Sequence, residues 1–127
     1  MRILVLGGGG REHAIVTRLV ASPLVDAVMV APGNGGTAAV AENVSLPIED
    51  GEAVAAFAHE RDVDLVVIGP EAPLVAGVAD AVRAAGIAAF GPGREGARLE
   101  GSKEFSKALM RRHHIPAGDS RAFTALE

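Results

Sequence analysis

The sequence has no cysteine, no tryptophan and no tyrosine, and its four phenylalanines leave the aromatic content at 3%. Without cysteine, zinc-thiolate sites, iron-sulfur clusters and thiol nucleophiles are excluded. Scarce aromatic rings remove the platforms on which single-stranded nucleic acids stack, and a net charge of −4 points the same way, so no nucleic-acid partner is expected. No apolar run approaches the roughly 18 residues of a membrane span, and no membrane partner is expected. The opening Ile3-Leu4-Val5-Leu6 run is too short for the core of a secretory signal and leads straight into glycines. A cytoplasmic location is the expectation.

What is present reads as globular: 127 residues, 49% apolar and 22% charged. A chain of this length buries about two-thirds of its unfolded surface and needs no metal or disulfide to fold. Charge is unevenly placed. Residues 1–93 hold five arginines and eleven acids (−6), residues 94–121 hold seven basic and four acidic residues (+3), and Glu127 completes −4. The basic segment suits either a solvated helix or a surface facing phosphate.

Arg2-Leu6 is a continuous apolar strand, the pattern of a strand covered on both faces. Gly7-Gly8-Gly9-Gly10 breaks it, and Ile15, Val16, Leu19 and Val20 then form a helical stripe stopped by Ser22-Pro23. Ala27-Ala31 is a second strand, leading into a shaped loop, Pro32-Gly33-Asn34-Gly35-Gly36-Thr37. Asn43-Leu46 is a weak strand. Ala53, Val54, Phe57 and Ala58 mark a helix ending near Arg61, and Asp64-Ile68 is the clearest strand. Gly69-Pro70-Glu71-Ala72-Pro73-Leu74 reads as a second shaped loop. Val75, Val78, Ala79 and Val82 form a helical stripe with Gly86 as its left-handed cap, before a short strand Ile87-Phe90 and the turn Gly91-Pro92-Gly93. The order implies right-handed crossovers and an α/β, doubly wound, mainly parallel sheet. Beyond it, Arg94-Glu100 reads as a short helix or turn. Ser102 is placed to cap a helix from Lys103 to about His113, with Phe105, Ala108 and Leu109 on its apolar face. Residues 1–93 thus form a first domain, 94–127 a helical connector, and Ala117-Glu127 the start of a further unit.

Ligands of doubly wound sheets collect outside the carboxyl ends of the strands, where all four special loops lie. Glycines at the first strand-helix turn let N–H groups approach a phosphate, with the helix dipole assisting; they also suit simple close packing. The dinucleotide fingerprint fails, because Glu12 or His13 stands where its third glycine belongs and Ala31-Pro32 where its ribose-binding acid belongs. No Gly-Lys-Ser/Thr completes a P-loop. The loop at 32–37 suits an anion nest with Asn34 and Thr37 adding side-chain hydrogen bonds, and Glu71 suits sugar hydroxyls or an amine. Arg11, Glu12 and His13 lack a companion serine or cysteine, which leaves packing or substrate contact. Adjacent His113 and His114 share no helical face and complement a helix C-terminus; no metal site and no catalytic residue is assigned.

Four segments in register, Gly8-Gly9-Gly10-Arg11-Glu12-His13, Ala31-Pro32-Gly33-Asn34-Gly35-Gly36-Thr37, Gly69-Pro70-Glu71-Ala72-Pro73-Leu74 and Leu99-Glu100-Gly101-Ser102-Lys103, resemble the N-terminal part of glycinamide ribonucleotide synthetases (phosphoribosylamine-glycine ligases). The resemblance implies the ATP-grasp superfamily and a Rossmann-like N-terminal domain. It implies an enzyme that uses ATP and Mg2+ to phosphorylate glycine, so that 5-phosphoribosylamine displaces phosphate and forms glycinamide ribonucleotide in purine biosynthesis. By the same resemblance Gly9, Gly10, Asn34, Gly35, Gly36, Thr37 and Glu71 would hold the phosphoribosyl substrate, and Lys103 an ATP phosphate. The family's central ATP-grasp domain and C-terminal domain have no counterpart in these 127 residues, so the chain alone is expected to be inactive. A free-standing regulatory module binding a phosphosugar or nucleotide is the alternative; a nicotinamide-dependent oxidoreductase is disfavoured by the failed motifs.

Overall fold

The computed structural model describes residues 1–121 and 123. Five strands, β1 (Arg2–Gly7), β2 (Ala27–Pro32), β3 (Glu42–Asn43), β4 (Leu65–Ile68) and β5 (Ala88–Phe90), form one sheet in the order β3-β2-β1-β4-β5. Every pairing is parallel, with Leu4 opposite both Met29 and Val66. The chain builds outward from β1 to β2 and β3, then returns to place β4 on β1's other side. The sheet therefore has its switch point between β1 and β4, the position where such folds open a crevice.

Alternation along the central strands supplies two cores. Leu4 and Leu6 pack with Met29, Val54, Val66, Val78 and Val82 on the face covered by α2 (Gly51–Glu60), α3 (Glu71–Ala76) and α4 (Val78–Ala84). Ile3 and Val5 pack with Val16, Val28, Val30 and Val67 beneath α1 (Gly10–Val20). Both faces of β1 are thus dry, which is why its sequence is an uninterrupted apolar run.

Three local readings change. The segment Gly69-Leu74 is no open loop: α3 begins at Glu71 with Pro70 as its N-cap residue. Pro73 sits in the first turn, where its missing N–H costs no helical bond. The stripe from Val75 to Val82 is not one helix either, because Gly77, at φ 89°, ends α3 and starts α4. The strand expected at Asn43-Leu46 is only Glu42–Asn43. The ladder ends with the bond from Val44 N–H to the Val30 carbonyl (2.8 Å), after which Val44, Leu46 and Ile48 lie against the larger core.

Helix ends follow the chemistry of their residues. Asp50 caps α2 by accepting the Ala53 N–H at 3.0 Å. Gly86 closes α4 as expected, at φ 81°, with Ile87 N–H reaching back to the Val82 carbonyl. The same six-to-one closure ends α2 with Asp62 in the left-handed position, at φ 50°. Beyond β5, α5 (Arg94–Gly101) joins the larger core through Ala97. Asp80 accepts the Arg94 N–H (2.8 Å), and the Arg94 guanidinium in turn donates to the Ala76 carbonyl at the end of α3. Ser102 caps α6 (Lys103–Arg112) through the Phe105 N–H at 3.2 Å. Arg98 lies over the Phe105 ring, 4.0 Å from its centroid, across the α5–α6 bend. In α6, Phe105 and Leu109 are half-buried and Ala108 is exposed. The further unit expected from Ala117 shows no helix or strand up to Arg121; residues 122 and 124–127 lie outside the described residues.

Candidate functional site

Parallel pairing puts the strand-helix turns side by side at one edge. Gly7 is in register with Pro32, and Leu6 with Ile68. Gly33 N–H donates to the Gly7 carbonyl (3.2 Å), and Gly69 N–H to the Leu6 carbonyl (3.2 Å). The turn after β1 therefore sits between the loop after β2 and the start of α3, which brings Gly9, Gly10, the Asn34–Thr37 segment and Glu71 to the same edge of the sheet.

The loop after β2 is shaped from within. Asn34 Oδ1 accepts N–H groups from Gly36 (2.7 Å) and Thr37 (3.0 Å), while Asn34 Nδ2 donates to the Gly8 carbonyl at 2.9 Å. Thr37 is completely buried. Its hydroxyl accepts the Asn34 N–H (2.8 Å) and donates to Asn43 Oδ1 (2.8 Å), and Asn43 Nδ2 returns to the Asn34 carbonyl (2.9 Å). Asn34 and Thr37 thus hold the loop's curvature and tie it to the first turn, while Gly35 is exposed at its tip. A ligand at this loop meets backbone more than these two side chains.

Glu12 stands at the centre of the edge, 5% exposed. As the third residue of α1 it reaches back so that Oε2 accepts the Gly9 N–H at 2.7 Å, the carboxylate half of a capping box. Three glycines make room for it. A Cβ on Gly7 would stand 2.6 Å from Glu12 Cγ, one on Gly9 2.9 Å from Oε2, and one on Gly69 would overlap Oε1. Oε1 itself is buried and has no hydrogen-bond partner, the single such side-chain atom among the described residues. In the sequence Glu12 stands in one run with Arg11 and His13. Its spacing four residues before inward-facing Val16, and its third place after a glycine cap, were the signals that separate it.

Gly9 and Gly10 are exposed at the turn, and Glu71 is exposed as the first residue of α3. Lys103, exposed at the start of α6, lies elsewhere: it lines a pocket with Glu104, Lys107, Arg111, Ser120 and Arg121, and no sheet-edge loop contributes to it. Its donor set, two lysines and two arginines, fits the phosphates of a nucleotide. Among the described residues no group of three or more histidine, aspartate or glutamate side chains is placed to hold a metal ion.

Comparison with known proteins shows the family. The family described as "Phosphoribosylglycinamide synthetase, N domain" matches residues 1–100. The chain belongs to this family. The phosphoribosylamine–glycine ligase of Agrobacterium fabrum is 57% identical over 127 residues, all of this chain and 30% of the relative. That of Salmonella typhimurium is 50% identical over 129 residues, with the same coverage. The chain therefore spans about 30% of the length of these curated relatives. The crystal structure of phosphoribosylamine–glycine ligase from Thermotoga maritima matches with a TM-score of 0.64 at 29% identity, over 90% of this chain and 25% of that one. The biotin carboxylase domain of a single-chain bacterial carboxylase, at 21% identity, matches with a TM-score of 0.68 over 97% of this chain and 31% of its own, and shares the fold. For a phosphoribosylglycinamide synthetase N domain, the failure of the dinucleotide fingerprint has a structural counterpart: Glu12, standing where the third glycine would be, closes the turn after β1 by accepting the Gly9 N–H.

Proposed function

We propose that the chain is the substrate-holding N-terminal part of a cytoplasmic, ATP- and Mg2+-dependent ligase that joins glycine to 5-phosphoribosylamine, giving glycinamide ribonucleotide, ADP and phosphate. The observation that carries this reading is the assembly of the loops after β1, β2 and β4 on one sheet edge, in a chain whose first 100 residues match the synthetase N domain. Residues 1–93 form the unit that binds the phosphoribosyl group, and 94–127 lead toward the ATP-grasp domain.

The first turn and the loop after β2 offer backbone N–H groups at Gly10 and Gly35, while the Gly9 and Gly36 N–H groups are taken by Glu12 and Asn34 and, with Thr37, hold the shape of the two loops. Glu71 offers an exposed carboxylate to ribose hydroxyls or the amine. Lys103, with Lys107 and Arg111 one and two turns along α6, offers positive charge to ATP phosphates. When bound, ATP supplies the phosphoryl group that activates the glycine carboxylate; this chain's share is to hold the amine-bearing partner in line for attack, an effect of positioning.

The test is direct. A protein in which this chain is followed by the remaining segments of its relatives forms glycinamide ribonucleotide from ATP, glycine and phosphoribosylamine, and the 127-residue chain alone does not. Turnover by the chain alone contradicts the reading.

A further inference from the structure

We propose that Arg94 is a positioning residue for Glu71. By holding the far end of α3 it sets the direction in which the Glu71 carboxylate meets a ligand, so a residue of the basic connector steadies the grip of the sheet edge. The consequence for binding rests on the phosphoribosyl reading of that edge; the geometry of α3 does not.

α3 has six residues, about 9 Å of helix, too short to hold its axis by its own hydrogen bonds. Its start is tied to the sheet. Gly69 N–H is bonded to the Leu6 carbonyl (3.2 Å), while Pro70, the N-cap residue, adds no side-chain bond, and Leu74 presses the inner side onto the core. Its end is held from α5. The Arg94 guanidinium donates to the Ala76 carbonyl, one of the terminal carbonyls that a helix leaves without an internal partner. It also fills the space over Gly77, where a Cβ would stand 2.9 Å from Nε. The last residue of α5 presses on the same turn: a Cβ on Gly101 would stand 2.6 Å from Val75 Cγ2. α5 therefore grips α3 with both its first residue and its last.

Arg94 is itself held. Its backbone N–H donates to Asp80 Oδ2 in α4 (2.8 Å), and Gly93 leaves room for that carboxylate, since a Cβ there would stand 2.5 Å from Oδ1. The guanidinium thus works from a fixed backbone. Glu71 opens α3 and is exposed, so the axis of the helix decides where its carboxylate points. A tilt of that axis takes the acceptor out of line with a ribose hydroxyl or an amine, and hydrogen bonds weaken steeply once their angles are lost.

The experiment uses the 127-residue chain, its Arg94→Ala and Arg94→Lys variants, and Gly86→Ala, which strains a left-handed residue at the end of α4 without touching α3. Residual dipolar couplings of backbone amides report the axis of α3 against the sheet, and D-ribose 5-phosphate is titrated into each protein. In Arg94→Ala the couplings of α3 are expected to change while those of β1 and β4 stay. D-ribose 5-phosphate is expected to bind that variant about five- to tenfold more weakly, the scale of one misaligned hydrogen bond to a charged group. Arg94→Lys, which keeps a donor for the Ala76 carbonyl, and Gly86→Ala are expected to bind as the parent does. An α3 axis unchanged in Arg94→Ala overturns the positioning role whatever the ligand does. Parent-like affinity in Arg94→Ala overturns its consequence for binding, and equal weakening in Arg94→Lys or Gly86→Ala overturns the assignment to the bond between Arg94 and Ala76. Ribose 5-phosphate shifts confined away from Glu71 in the parent overturn the phosphoribosyl reading, while the couplings still decide whether Arg94 aims Glu71.

Discussion

Glu12 and Gly69 are fitted to each other: the buried carboxylate oxygen of one occupies the space that a Cβ on the other would need. Gly69 is thus a glycine for steric reasons alone, with no left-handed backbone to account for it. Gly69→Ala is expected to destabilise the domain by about 1–3 kcal/mol, the range for forcing an extra methyl into a packed site. In a Glu12→Ala background the same substitution should cost much less, a coupling of roughly 0.5–3 kcal/mol in a double-mutant cycle read by urea unfolding. Additive effects would mean that the two residues do not share this space.

Thr37→Val tests whether the loop after β2 is built from its internal hydrogen bonds. Valine keeps the shape of a fully buried side chain but leaves the Asn34 N–H and Asn43 Oδ1 without their partner. The expected loss is about 1–3 kcal/mol in chemical denaturation. Amide shifts should concentrate at Asn34–Thr37 and spread to Gly8, which Asn34 Nδ2 ties to the loop.

Asp62 carries a side chain where the closure of α2 needs a left-handed residue. Glycine adopts that conformation freely, whereas another residue gives up roughly 1–2 kcal/mol, partly offset by glycine's greater freedom when unfolded. Asp62→Gly should therefore raise stability by about 0.5–1 kcal/mol in thermal or urea melts. Gly86→Ala, the converse change at the end of α4, should lower it by a similar amount.

The contrast between these helix ends shows what the sequence made legible. Gly86 announced its own conformation; Asp62 sat in the same geometry without any such mark. β1 and β4 were readable because strands covered on both faces leave continuous apolar runs. The ends of α3 were not, because Pro70 and Pro73 carry the signature of a loop as well as that of a first helical turn, and a lone Gly77 inside an apolar stripe does not reveal its left-handed backbone. For the site, the placement of Gly9, Gly10, Asn34 and Glu71 on one edge followed from strand order. The buried, half-satisfied state of Glu12 did not, since it depends on three glycines from two separate turns meeting around one side chain.

Asp26 has its carboxyl held below the usual carboxylate range, first by a hydrogen bond from the N-terminal ammonium and then by that group's charge. A depressed pKa means stability that is present above the unfolded value and lost as pH falls through the folded one. Side-chain NMR titration should place the Asp26 midpoint below that of an ordinary aspartate, about 3.9. N-terminal acetylation should return it toward that value. Because the pair is exposed, little change in overall stability should accompany it.

The most direct measurement of the central claim maps glycinamide ribonucleotide, the stable product that retains the phosphoribosyl group, onto the chain by amide NMR. If the carboxyl edge of the sheet is the phosphoribosyl site, saturable shifts fall at Gly8–Gly10, Asn34–Thr37 and Gly69–Glu71. Shifts confined to other surfaces, such as the basic pocket of α6, would contradict it.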